Sequence, residues 1–489
     1  MVDASNEGLT ELSFPSIEQT QDYRDVDICG DRTEVERNQV ANLLQDGAGV
    51  LTDVPGHTTL IEHSVESTSN DQICCKAYPV PHSMQETINN EIDAMLKLGV
   101  IEMFEPPYAS PVVIVKKPNG SNKFCVDYRK LNKVTVFDPE PIPNMEDITY
   151  KVGQGKYFSK LDLTKGYWQI PIAEKDKAKT AFTTAEGLYQ FKVLPFGMVN
   201  APAVFTRMMR RLLDGQSNVV HSIDDVLIFT ETWSEHVKVL SQVLERLRDA
   251  GLTAKPSKCK IGYESVDFLG HIVGKGLIKP QSDKVQRILS AGRPETKKQV
   301  RSFIGLANYY RKFIPNFAAI AAPITDLTKK GQPNKVQWTD AQESAFSTLK
   351  QRLASAPILR LPDPNKPYVL RTDASNVGLG AVLMQTGDNV NFPVCYAGSK
   401  LLPREAAYAV IERECLALVW AVEKFHVYLY GIEFVLETDH NPLTCLNGSR
   451  INNPKIMRWA LKLQPYRYLV KAIKGSENIG ADYLSRCPE

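Results

Sequence analysis

No uninterrupted apolar stretch in the 489 residues approaches the ~20 needed to cross a bilayer, so no helical membrane span is expected. The N-terminus, with Asp3, Glu7 and Glu11, lacks the basic start and apolar run of a secretory signal. Both absences lead to the expectation of an intracellular, cytoplasmic protein with no membrane partner. Nine cysteines contain no C-x-x-C, and Cys74-Cys75 is the only close pair. That argues against a zinc ribbon or a dithiol redox motif and leaves reduced, mostly buried thiols. Charge of one sign is also missing, since 58 basic residues face 56 acidic ones. Any affinity for nucleic acid must therefore come from local clusters. There is no low-complexity tract, and the length suggests three or four domains. The first 75 residues contain no protease-type Asp-Ser/Thr-Gly.

What is present is a set of carboxylates in costly places. Asn218 to Phe229 reads as strand, rich in Val and Ile, yet Asp224 and Asp225 interrupt it. Two adjacent like charges in such a run disfavour each other unless cations neutralise them. The pair is expected at the tip of a β-hairpin; an ordinary turn with Asp as turn former is the alternative. Tyr157 to Leu163 carries the same anomaly, with Asp162 near its end. Three carboxylates at strand ends suggest two divalent ions ~4 Å apart that clamp an in-line phosphoryl displacement, and hard oxygen ligands suit Mg²⁺. A second set follows. Tyr368 to Ser375 is a strand carrying Asp373, and Glu405 to Tyr428 is expected to be one long helix with Glu412 and Glu414. Phe434 to His440 is a strand carrying Asp439, and Asp482 lies in a terminal helix beginning at Asn478. Any one of these acids alone reads as structural.

Leu161-Asp162-Leu163, Leu194-Pro195-Phe196-Gly197 with Asn200-Ala201-Pro202, and Ile223-Asp224-Asp225-Val226-Leu227-Ile228 resemble the palm motifs of the reverse transcriptases of gypsy-class LTR retrotransposons. Thr372-Asp373-Ala374-Ser375, Thr438-Asp439-His440 and Ala481-Asp482-Tyr483-Leu484-Ser485-Arg486 resemble the RNase H domain of the same family. The likeness covers about the last four hundred residues. It implies an α+β fold: a right-hand polymerase with fingers, palm and thumb/connection, followed by an RNase H-like mixed-sheet α/β domain. The implied partition is 1–75 leader or linker of unknown role, 76–275 fingers and palm, 276–360 thumb/connection and 361–489 RNase H.

The resemblance also implies site residues. Asp162, Asp224 and Asp225 would hold metal in the polymerase; Asp373, Glu414, Asp439 and Asp482 would do so in the RNase H domain. Glu414 is preferred to Glu412 because Glu-Cys-Leu-Ala-Leu matches the family's catalytic helix. Two Mg²⁺ ions per site are implied, with Mn²⁺ as the alternative. Lys116 and Lys123, on a hairpin turned by Pro118-Asn119-Gly120, would meet the triphosphate of a dNTP, although the family usually has Arg at the second position. Tyr167 aligns with the aromatic gate against a ribose 2′-hydroxyl. Arg129 is expected in an internal ion pair. Arg207, Arg210 and Arg211 read equally as phosphate contacts or as a solvated basic face.

One departure concerns the palm. The family carries an aromatic residue two positions before the Asp pair, where it supports the primer–template end, and here that position is Ser222. Farther on, eight basic residues against Glu295 alone lie between Lys284 and Lys312, among them Lys297, Lys298 and Arg301. Interleaved with Phe303, Tyr309, Tyr310 and Phe313, they suit a thumb lying on a duplex backbone; a helical bundle with solvated charges is the alternative. Pro357 to Pro367, with four prolines, reads as a linker. The expected function is copying of RNA into DNA with RNase H cleavage of the hybrid, on an RNA template, a DNA primer and dNTPs, in a particle-associated protein as the resemblance implies. A polymerase-impaired remnant that keeps nuclease activity and a non-catalytic nucleic-acid-binding protein are the alternatives.

Overall fold

The computed structural model describes residues 21–69, 71–105, 107–116, 122–314, 317–355, 359–363, 365–387, 390–439 and 453–485. They form two compact units, which divide between Phe268 and Leu269, with Val152–Gln154 belonging to the second. The division falls a few residues before the expected boundary at 275/276. Tyr310 donates to Gly270 O at 2.8 Å, and the His271 ring lies 5.4 Å from that of Tyr310, so this turn belongs with the helices that follow it.

The first unit begins with a short strand β1 (Asp27–Ile28) and helix α1 (Glu34–Asp46), capped by Thr33 and Glu36. Helix α2 (His82–Lys97) ends before Gly99, whose φ of +67° only glycine adopts readily. Strands β2 (Ile101–Met103), β3 (Ser110–Lys116) and β4 (Asn122–Val126), short helices α3 (Arg129–Val134) and α4 (Met145–Val152), and strand β5 (Tyr157–Asp162) follow. Next come β6 (Phe182–Thr183), β7 (Leu188–Phe191), α5 (Ala201–Leu212), β8 (Val219–Ser222), β9 (Asp225–Thr230), α6 (Trp233–Asp249), β10 (Lys260–Tyr263) and β11 (Ser265–Phe268). One five-stranded sheet runs β2-β7-β6-β3-β4, and the other β1-β10-β5-β9-β8. The second is the palm. Its central strands β5 and β9 are antiparallel neighbours, and Val226 to Ile228 are wholly buried. Helix α6 buries His236, Val239, Leu240, Val243, Leu244 and Leu247, one face at helical spacing, and stops at Gly251.

The described part of the region read as a leader, from residue 21 on, belongs to this unit. Strand β1 pairs in parallel with β10, Leu51 bridges to Ala254 and His63 to Ile172. Val26, Val40, Leu44, Val50, Leu51 and Val65 join the core of the palm.

The second unit opens with the hairpin β12 (His271–Gly274) and β13 (Leu277–Pro280). Helices α7 (Ser282–Leu289), α8 (Lys297–Tyr309), α9 (Phe317–Asp326) and α10 (Asp340–Ala354) pack together. The expected linker is in part a strand, β14 (Leu359–Arg360), paired with β13, because Leu359 and Leu361 bury completely there. The last sheet has strands β15 (Tyr368–Ala374), β16 (Gly378–Gly387), β17 (Val390–Lys400), β18 (Glu433–Thr438) and β19 (Arg467–Ala472), in the order β17-β16-β15-β18-β19. The first three are antiparallel; β18 and β19 run parallel to β15. The long helix expected from Glu405 to Tyr428 is broken into α11 (Pro403–Ala406), α12 (Val410–Lys424) and α13 (His426–Leu429). Ala409 is extended, and Glu412 turns back to accept from its backbone N–H at 3.2 Å, starting a new helix. Helices α14 (Pro454–Leu463) and α15 (Ile479–Ser485) complete the unit.

Candidate active sites

Strands β5 and β9 bring Asp162 opposite Asp225 as a cross-strand pair. The hairpin tip is one residue earlier than expected: Ile223 and Asp224 form the two-residue turn, and Asp225 is the first residue of β9. Ile223 has φ of +47°, a left-handed conformation that is costly for a β-branched side chain. The turn points Asp224 inward. Its Oδ1 is buried without a hydrogen-bond partner, and a Cβ on Gly166 would stand 2.4 Å from it. Burial, then Asp162 and Asp225, raise the Asp224 carboxyl to about 7. Asp162 is also raised, first by burial, with Lys258 opposing.

Two lysines answer this charge. Lys258 Nζ lies 3.2 Å from both oxygens of Asp162, and Lys160 Nζ lies 2.9 Å from Asp225 Oδ1. Among the described residues no group of three or more acidic, His or Cys side chains closes at metal-ligand spacing. The chemistry nevertheless fits a divalent cation: three hard oxygen donors, one of them buried and unpartnered, sit around a space that only glycine leaves open. Lys160 had a sequence signal, because it lies two positions before Asp162 and so shares its strand face. Lys258 had none.

Tyr167 is buried beside the same turn, its ring 5.1 Å from Phe196 and 5.6 Å from Phe205, and burial raises its hydroxyl pKa. Ser222 pairs across the hairpin with Asp225. Lys116 and Lys123 lie on paired strands β3 and β4, but their side chains fall outside the described residues. Arg129 pairs with Asp127 at 2.6 Å. Of the three arginines of α5, Arg207 binds Asp138 at 2.7 Å and Arg210 binds Glu140 at 2.7 Å. Arg211 donates to Leu60 O. All three have partners within the first unit.

In the second unit Asp373 lies near the end of β15, Glu414 on α12, Asp439 just after β18 and Asp482 on α15. Burial, then Asp373 and Asp439, raise the Glu414 carboxyl to about 8, and its Oε2 is buried without a hydrogen-bond partner. Glu412 faces elsewhere, accepting from Asn453 Nδ2 at 3.0 Å and pairing with Lys455 at 3.3 Å. Again the donors are hard oxygens that repel one another, which suits a divalent ion. Sequence reading missed the residues that hold this group. Asn478 Nδ2 donates to Thr372 O and to Asp439 Oδ1, each at 3.1 Å. The Ser485 hydroxyl donates to Asp373 Oδ2, with Asp482 O as its alternative acceptor at 2.9 Å. Helix α15 is thus tied at both ends to the strands that carry the acids.

On α8, Lys298 and Arg301 are exposed, whereas Lys297 is half-buried and donates to Lys329 O at 3.1 Å.

Comparison with known proteins agrees with both halves. A family model described as reverse transcriptase (RNA-dependent DNA polymerase) matches residues 115–273, and one described as the RNase H-like domain found in reverse transcriptase matches 338–436. The Pol polyprotein of transposon 297 of Drosophila melanogaster is 41% identical over 436 residues, covering 88% of this chain and 41% of the relative. That of transposon gypsy is 39% identical over 447 residues, covering 88% and 43%. The chain therefore spans less than half the length of these curated relatives. A foamy viral protease-reverse transcriptase solved with dsDNA superposes with a TM-score of 0.81 at 25% identity, over 91% of this chain and 95% of that one.

Proposed function

The chain belongs with the gypsy-class Pol polyproteins, as a reverse transcriptase joined to an RNase H-like domain, and from that premise we propose that it copies RNA into DNA and cleaves the RNA of the resulting hybrid. The observation that carries the polymerase half is the register that sets Asp162 against Asp225 with Asp224 buried between the strand ends. Divalent ions, proposed as two Mg²⁺ per site, would supply Lewis acidity to the attacking and leaving oxygens. Asp162, Asp224 and Asp225 would hold them in the polymerase; Asp373, Glu414, Asp439 and Asp482 would hold them in the nuclease. Lys160 and Lys258 pair with Asp225 and Asp162 and hold them in place until then. The primer 3′-hydroxyl, giving up its proton, attacks the α-phosphate of a dNTP beside these carboxylates, the α–β phosphoanhydride bond breaks and pyrophosphate leaves. Lys116 and Lys123 meet the triphosphate, and Tyr167 crowds a ribose 2′-hydroxyl. Residues 276–360 serve as thumb and connection, with Lys297, Lys298 and Arg301 facing the duplex backbone.

Extension of a DNA primer on an RNA template with Mg²⁺, beside an Asp224→Asn control and with RNA cleavage scored on the same gel, tests this. Extension by the wild type and loss of it in the control is the expected result; no extension by the wild type refutes the polymerase reading. Ser222 favours a second reading, a weakened polymerase beside an intact nuclease, because no aromatic ring supports the primer end. Ser222→Tyr is then expected to raise the extension rate several-fold, and an unchanged rate rejects that reading.

A further inference from the structure

We propose that the segment Val50–Thr58, upstream of the palm motifs, is a working part of the polymerase site: it positions the loop from Asp162 to Gln169. The inference rests on the polymerase reading above and extends it to a stretch that the palm motifs do not reach. Three layers of chain interlock here. The strap Val50–Thr58 lies on Gly251–Lys255, and both lie on the loop. Ala254 N donates to Val50 O at 2.8 Å, Thr52 N returns a bond to Ala254 O at 3.1 Å, and His57 N donates to Gly251 O at 2.9 Å. Thr253 Oγ1 accepts from Gly56 N at 3.0 Å and donates to Val54 O at 2.8 Å.

The strap also reaches the loop directly. Thr164 Oγ1 donates to Thr52 O at 2.7 Å, and Thr58 N donates to Gln169 O at 2.9 Å. Gln169, wholly buried, closes the assembly. Its amide donates to Thr164 O at 2.8 Å and Thr253 O at 2.9 Å, and its carbonyl accepts from Thr253 N at 2.7 Å. Lys255 N then donates to Asp162 O at 2.7 Å. The fit leaves no slack, since a Cβ on Gly56 would stand 2.1 Å from Gly251 O.

The loop amplifies any displacement. Lys165 sits at φ of +48°, and the next residue, Gly166, has Asp224 on one side and the Phe205 ring on the other, both closer than a Cβ allows. A strap that lifts would shift Gly166 against Asp224 and move Tyr167 with it. These are positioning residues, acting through the loop on the carboxylates and on the aromatic gate.

The test uses the full chain. Thr164→Val removes the hydroxyl that reaches Thr52 with little change of shape; Gly56→Ala wedges the strap from Gly251 and crowds the Gln169 side chain. Val35→Ala, exposed on α1, is the control. The readouts are primer extension, the ratio of deoxyribonucleotide to ribonucleotide incorporation, RNA cleavage, thermal stability, and amide hydrogen exchange across Leu163–Ile170. Both strap variants are expected to lose about tenfold or more in extension rate, to change the deoxy-to-ribo ratio, and to exchange faster at Thr164 and Trp168, with cleavage unchanged. Wild-type values overturn the proposal, and so does a lowered melting temperature with ratio and exchange unmoved. If the wild type extends no primer, the polymerase reading fails by itself. Hydrogen exchange then decides the strap alone: unaltered protection in Gly56→Ala overturns it.

Discussion

Ionising Asp224 costs the metal-free protein free energy, because burial and two neighbouring carboxylates oppose the charge. A carboxyl raised above its ordinary value contributes stability at low pH and loses it as pH rises through the raised value. The stability of the metal-free first unit, and with it the melting temperature, is therefore expected to fall as pH rises from about 4 to about 7, by about 4 kcal/mol across that window, and to level off above it. Asp224→Asn should flatten that dependence, and a divalent ion should raise the melting temperature more at pH 8 than at pH 5.5. Differential scanning calorimetry with and without the ion checks all three. Glu414, raised to about 8, predicts the same sign in the second unit. The seven acids were legible because each sits at the end of a patterned strand or in a short motif. Lys258, Asn478 and Ser485 were not, because their roles depend on partners far along the chain: Lys258 meets Asp162 from 96 positions away, and Ser485 meets Asp373 from 112.

Helix α8 presents Lys298 and Arg301 to solvent, while Arg293 of the same basic cluster stacks on Trp338 at 5.2 Å. Not every charge in the cluster is therefore available to a phosphate. Lys298→Ala and Arg301→Ala are each expected to weaken binding of an RNA–DNA duplex a few-fold and to lower the salt slope of binding by about 1. A titration at several salt concentrations shows whether either residue contributes. Strong periodicity goes with regular structure: α6 buries one face at helical spacing along its whole length. Two errors have local causes. The helix expected from Glu405 breaks because Glu412 caps a new start at Ala409, a side-chain choice that composition does not encode. The proline-rich linker hides a two-residue strand, whose partner β13 is some eighty residues earlier by the register of Ile278 with Leu359.

The two clusters of carboxylates lie in different compact units. Glu414→Gln is expected to abolish RNA cleavage and leave primer extension, whereas Asp225→Asn should do the reverse; one gel reads both. The order polymerase then RNase H was legible from motif order, since each motif is local. The role of residues 21–67 was not, because nothing in their own composition announces that β1 completes a sheet with β10. That pairing also orders events in time. Arg32 meets Glu264 from 232 positions away, so at ribosomal speeds of roughly 5–20 residues per second the first strand waits on the order of 10 to 50 seconds for its partner. During that interval β1 has no strand to pair with, and the sheet it completes closes only after β10 has been made.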